Sequence, residues 1–230
     1  MKPSRARRVA AEFLGTAMLV TAVIGSGIMG ERLAGGNVAI ALLANTMATG
    51  AALVAIIFTF GPISGAHLNP AVSLCDAIEG GLAWREAPGY IVAQILGGAV
   101  GAIVANMMFE LPAITFSTHA RAGRAQLFSE FVASFGLLAV IWGCSRVRAT
   151  GVPFAVAAYI VAAYWFTAST SFANPAVTLA RTLSDTFAGI RPSDTPGFIL
   201  AQLAGALAST FLFRWLVPAK RAEEVVVPHE

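Results

Sequence analysis

Charge is what this 230-residue chain has least of. Asp, Glu, Lys and Arg make up 12% of it, against 57% hydrophobic residues. A soluble domain of this length carries about twice that charge on its surface. Cysteine and histidine are scarcer still, at 2 and 3 residues. Cys75 and Cys144 have no metal-ligand spacing and read as two unpaired small apolar residues. No Ser/His/acid set, metal cluster or phosphate loop occurs, which argues against an enzyme and leaves no cofactor or metal to expect.

What is abundant is uncharged apolar sequence, with a mean hydropathy of +0.74. It comes in long blocks rather than as one dispersed core, which is how membrane spans look. The net charge of +3 could suggest a nucleic-acid partner. The basic residues, however, gather at the ends of the apolar blocks, where they act as orientation signals, so no nucleic acid is expected. Met1 to Arg8 is basic and is followed by an apolar run, as in a secretory leader. The run continues to Met29 without a convincing cleavage site, and we read it as a first span.

Six blocks approach the ~20 residues that cross a bilayer as a helix. They are Val9 to Met29, Val38 to Phe60, Ala87 to Phe109, Gln126 to Cys144, Gly151 to Ala168 and Pro196 to Phe213. Glu12 and Glu130 are the charges within them. Two further apolar stretches, Ser64 to Cys75 and Ala173 to Ala180, are too short to span and read as half-helices that enter from one side. With the N-terminus inside, the inner side holds Lys2, Arg5, Arg7, Arg8, Arg85, Arg146, Arg148, Arg214, Lys220 and Arg221. The outer side holds Arg32, Arg121, Arg124, Arg181 and Arg191. That imbalance predicts both termini in the cytoplasm.

The chain nearly repeats itself. Ala11-Glu12-Phe13-Leu14-Gly15-Thr16 recurs as Ser129-Glu130-Phe131-Val132-Ala133-Ser134. Asn69-Pro70-Ala71-Val72-Ser73-Leu74 recurs as Asn174-Pro175-Ala176-Val177-Thr178-Leu179. Ala93-Gln94-Ile95-Leu96-Gly97-Gly98 recurs as Ala201-Gln202-Leu203-Ala204-Gly205-Ala206. The order is the same in both halves, about 9–110 and 126–217, joined by a loop around Leu111 to Arg124. Each half holds an odd number of spans, so the second enters from the opposite side. A site is then expected near the midplane, where the halves meet.

The Asn-Pro-Ala pair is the most informative feature. Asn caps a helix because its side-chain oxygen accepts a free backbone N–H. Pro at the next position lacks only an N–H that would be unbonded anyway. Two such starts in inverted halves meet end to end at mid-bilayer, with their positive ends toward the lumen. Asn69 and Asn174 then keep their NH2 groups free to donate to an oxygen passing in single file, while cations and protons are disfavoured.

On these residues the whole chain resembles the aquaporin superfamily, or major intrinsic proteins. Ser64-Gly65-Ala66-His67-Leu68-Asn69-Pro70-Ala71-Val72 resembles the family's first signature. The resemblance implies an all-α integral membrane protein with six transmembrane helices and two re-entrant half-helices. It also implies a right-handed bundle in an inverted 3+3 repeat, assembled as a homotetramer with one pore per chain. It further implies that Glu12 and Glu130 support the half-helix loops. His67 resembles the family's histidine on the cytoplasmic side of the pore, where lining and packing are both open to it.

Counted from the motifs, the family's four outer-constriction positions fall on Thr49, Ala162, Ser171 and Val177, with a slip from Ser171 to Phe172 left open. All four are small, and the usual arginine is missing, which predicts a wide, weakly polar opening. Arg181 stands a helical turn beyond Val177. It either leans back toward the mouth or serves as an outer anchor or ion-pair partner. The segment Ser171 to Arg181 resembles bacterial members associated with arsenic resistance. That implies passive flux of arsenite, As(OH)3, with methylated arsenicals, glycerol-type polyols, urea and water as further neutral solutes. It also implies a place in the bacterial inner membrane. Two rivals remain at this stage. One is a water-selective channel of the same fold. The other is a secondary transporter, which would need a coupling-ion site beyond Glu12 and Glu130.

Overall fold

The chain is described by a computed structural model covering residues 3–217. The tail at 218–230 lies outside the described residues, as do Met1 and Lys2. Six long helices and two short ones form in the expected order. They are α1 (Arg5–Leu33), α2 (Val38–Ser64), α3 (Pro70–Glu79), α4 (Ala87–Met108), α5 (Arg124–Val147), α6 (Val152–Phe166), α7 (Pro175–Ala180) and α8 (Thr195–Leu216). Helical turns at Ala149–Gly151 and Arg181–Leu183 extend α6 backwards and α7 forwards.

Six of the helices, counting α6 with its leading turn, are long and apolar enough to cross a membrane. α1, α2, α5 and α8 overrun the expected spans, whereas α4 and α6 stop at Met108 and Phe166, just short of the expected Phe109 and Ala168: α1 has 29 residues rather than the run from Val9 to Met29. At ~1.5 Å per residue such a helix is longer than the ~30 Å hydrocarbon layer, so its charged first turn stands outside. Local chemistry sets the ends. Asn37 caps α2 by accepting from Ala39 and Ile40 N–H, and the chain leaves α2 through Gly65 at φ 91°. Gly80, at φ 82°, ends α3 in the same way. The expected half-helix from Ser64 is thus two pieces. Ser64 closes α2, and α3 begins only at Pro70.

Packing follows the repeat. α1 lies against α2 and α4, α5 lies against α6 and α8, and α2 meets α6 across the seam. Glycine permits the closest approaches at equivalent places. A Cβ on Gly97 would overlap the Phe13 carbonyl oxygen, and one on Gly205 would overlap that of Phe131. The obstacle is backbone, which cannot swing aside as a side chain can. Gly97→Val should therefore separate α1 from α4. We expect little monodisperse protein on size-exclusion chromatography in detergent, whereas Gly61→Ala, whose added Cβ would meet no atom within 4 Å, should elute as wild type.

Outward faces are apolar. Leu14, Met18, Phe128, Trp165 and Phe211 are all exposed, as suits contact with lipid. The start of α1 and the end of α8 lie on one side. Arg8 pairs with Glu86 at 2.6 Å just before α4, and Arg214, near the end of α8, pairs with Glu79 at 2.8 Å. That is the terminal side; the side carrying the 109–123 loop is the opposite one.

Candidate functional site: a central pore

Each half-helix is built on its asparagine. Asn69 Oδ1 accepts from Ala71 N–H at 2.9 Å. Asn174 Oδ1 accepts from Ala176 and Val177 N–H at 3.0 and 3.3 Å. The amide nitrogens do more than expected. Asn69 Nδ2 donates to Ala173 O in the other half, and Asn174 Nδ2 donates to Leu68 O, both at 2.8 Å. Each NH2 therefore keeps one hydrogen for a passing solute rather than two. The correction has a simple cause: the two loops approach closely enough to use each other's carbonyls.

The loops before the motifs are held in an unusual shape. Ala66 and Leu68 have φ 47° and 53°, and Ser171 and Ala173 both have φ 49°. Left-handed backbone at non-glycine residues persists only where its surroundings impose it. The two span glutamates impose it. Glu12 accepts from Ser64 Oγ at 2.6 Å and His67 N–H at 3.0 Å. It also accepts from Leu68 N–H at 2.7 Å and Gln94 Nε2 at 2.8 Å. Glu130 accepts from Phe172 and Ala173 N–H, each at 2.9 Å, and from Gln202 Nε2 at 2.6 Å. Both carboxylates are fully buried.

Between the halves lies a cavity of about 610 Å³. Its wall includes Asn69, Asn174, Thr49, Ser171, Phe172, Val177, His67 and Arg181 among the residues singled out from sequence. Ala162 is the exception. It sits on the exposed face of α6 and does not line the cavity; Tyr164, two residues on, does so instead. Tyr164 is 3% exposed, and its hydroxyl lies 3.4 Å from Thr49 Oγ1. Counting back from Asn174 therefore lands on the wrong face of α6, since two positions turn a helix by about 200°. Pro70, Ala71, Pro175 and Ala176 are buried beneath the lining as helix starts.

Arg181 is 2% exposed and reaches the cavity wall. Its guanidinium lies 3.4 Å from the Phe172 ring centroid, and its Nε donates to Ala188 O. Arg121, from the loop before α5, approaches the same ring at 5.1 Å. Its nitrogens donate to the carbonyls of Gly189, Ser169 and Phe187. Sequence reasoning passed over Arg121 and Tyr164, because neither belongs to a motif. Burial pushes His119, in the same loop, below its ordinary range, and the Arg121 and Arg181 charges push the same way.

Charge is sparse along the lining. Among the described residues, Asp76, Arg181 and the titratable His67 are its ionisable groups other than Tyr164. Ser171 Oγ is buried and has no hydrogen-bond partner among them. No cluster of three or more metal-ligating side chains occurs among the described residues.

An inverted-repeat bundle of six helices long enough to cross a membrane, with two half-helices meeting beside a central cavity, defines a channel, not an enzyme. The chain belongs to the major intrinsic protein family, whose model, described as "Major intrinsic protein", matches residues 1–150. It is 53% identical over 215 residues to Aquaglyceroporin AqpS of Rhizobium meliloti (strain 1021), covering 94% of this chain and 92% of the relative. It is 32% identical over 214 residues to Aquaporin NIP1-4 of Oryza sativa subsp. japonica, covering 88% and 74%. The fold matches the X-ray structure of the aquaglyceroporin from Plasmodium falciparum with a TM-score of 0.73. That match has 22% identity and covers 94% of this chain and 98% of the other.

Proposed function

We propose that the chain conducts small uncharged polyhydroxyl solutes passively through its central cavity: arsenite as As(OH)3, neutral methylated arsenicals, glycerol-type polyols and water. The observation that carries this reading is the wall around the Asn pair. There Thr49, Ser171 and Val177 are small, and the unpartnered Ser171 hydroxyl offers a hydrogen bond to a passing hydroxyl. Likeness to a protein named an aquaglyceroporin supports the same reading. Methyl groups would meet Val177, and hydroxyls would meet Ser171, Thr49 and the free amide hydrogens of Asn69 and Asn174.

The terminal side is the cytoplasmic one in this proposal, and the membrane is the bacterial inner membrane. The charge imbalance between the two sides supports that orientation. Each chain is a complete conduit, because its cavity lies within one bundle; a homotetramer would hold four in parallel.

Stopped-flow light scattering on proteoliposomes, joined to arsenite uptake by elemental analysis, tests the proposal. Glycerol and arsenite should enter far faster than into protein-free vesicles, and collapse of the proton gradient should change neither rate. Loss of uptake with the gradient would mean a coupled transporter. A second reading, the water-selective channel, is favoured by one feature: Arg181, Phe172 and Tyr164 crowd the same wall. Water flux without either solute would select it.

A further inference from the structure

The two mouths of the cavity are built on one plan with opposite charge. Two residues before each motif asparagine stands a ring, His67 in one half and Phe172 in the other. Seven residues after it stands a charge, Asp76 in one half and Arg181 in the other. Each charge touches the ring of its own half. Asp76 Oδ2 lies 3.4 Å from His67 Nε2, and the Arg181 guanidinium lies 3.4 Å from the Phe172 centroid. Each ring is backed by an aromatic four residues before the repeat glutamine. Tyr90 lies 5.3 Å from His67, and Phe198 lies 5.3 Å from Phe172. His67, Phe172, Asp76 and Arg181 all line the cavity.

Seven residues of helix put each charge about 10 Å from its asparagine, on opposite sides of the midplane. The interior between them presents donors to a solute, from the two Asn amides and the Arg181 guanidinium. Such a field repels cations but invites anions. Rejecting anions needs negative charge, and Asp76 is the one carboxylate that lines the cavity among the described residues. Glu79, a turn further along α3, is held between Arg146 at 2.7 Å and Arg214 at 2.8 Å, so its charge is balanced locally. Among the described residues Asp76 is paired with nothing stronger than His67, and its side chain is 23% exposed.

The geometry points to Asp76 as the residue that bars anions from the pore at the terminal mouth, complementing Arg181 at the other. Opposite fixed charges in series then pass only uncharged solutes, including the neutral form of a weak acid and not its conjugate base. The Ser73 hydroxyl, 3.1 Å from His67 Nδ1, fixes the ring that holds the carboxylate. This inference rests on reading the cavity as the conduction path.

Chloride entry into proteoliposomes loaded with lucigenin, with potassium and valinomycin to balance charge, tests it beside glycerol swelling. Wild type should admit chloride no faster than protein-free vesicles. Asp76→Asn should raise chloride entry by about tenfold or more while conducting glycerol near the wild-type rate. Asp76→Glu should restore exclusion. Asp76→Ser, smaller and also neutral, should leak as the amide does and covers the case in which Asn disturbs folding. Chloride exclusion by glycerol-conducting Asp76→Asn or Asp76→Ser would overturn the inference. So would an equal leak from Arg181→Gln, which removes positive charge and should not admit anions. Glycerol impermeability of the wild type would instead refute the proposed solute class, while a chloride leak in the Asp76 variants would still support the anion barrier.

Discussion

On the proposed solute class, Val177→Arg should lower glycerol and arsenite permeability by on the order of a hundredfold while leaving the protein folded. Val177 is 5% exposed, lies on the cavity wall, and follows Asn174 by three residues on a helix whose start is fixed. Its side chain therefore has one direction to grow in, which is inward. Arginine there would bring several atoms and five donors into the lumen. It would also stand four residues from Arg181, close enough for the two charges to repel and to push the new side chain further into the path. Water, the smallest permeant, should lose less than glycerol. Stopped-flow scattering in matched proteoliposomes reads both, with Val177→Leu as a control for bulk without charge. Unchanged glycerol entry in Val177→Arg would mean that the wall at Val177 does not limit passage.

A larger structural effect is expected at Glu130. Its carboxylate is fully buried and accepts the N–H groups of Phe172 and Ala173 and the Gln202 amide. Replacement by Leu would leave the Phe172 and Ala173 N–H groups without acceptors, each costing about 1–3 kcal/mol, and Gln202 Nε2 with Thr178 Oγ1 alone. The left-handed backbone at Thr170, Ser171 and Ala173 would lose the group that imposes it. Glu130→Leu should therefore fail to accumulate as folded protein, or should lose most of its thermal stability by fluorescence-detected size-exclusion chromatography. Glu130→Gln keeps one acceptor and should fall between. Glu12→Leu should act alike, since Glu12 does the same work on Leu68 and His67. A stable, conducting Glu130→Leu would show that the loop shape is carried by packing alone.

The skeleton was legible because its signals are local and doubled. Asn-Pro-Ala needs only a helix start to be meaningful, and its recurrence beside Glu12/Glu130 and Gln94/Gln202 identified the repeat without any tertiary information. The constriction was less legible. Thr49, Ser171 and Val177 fall on the lining, but Ala162 does not, and Tyr164 takes its place. The reason lies in α6, which is apolar all round: Phe154 and Trp165 face out while Ile160 and Tyr164 face in. Such a helix has no polar stripe from which to read the inward face. Arg181 was ambiguous for a different cause. A long side chain can reach in several directions from one Cα, and its course was decided by the Phe172 ring and the Ala188 carbonyl, neither of which is adjacent in sequence.

The crossed bonds between the asparagines have a consequence for synthesis. Asn69 completes itself on Ala173, and Asn174 on Leu68. Residue 173 emerges from the ribosome about a hundred residues after residue 69. Until then the first loop has no partner for its amide, and the wall opposite it is missing. A half-finished chain thus lacks half of the cavity wall, Asn174, Val177 and Arg181 among it.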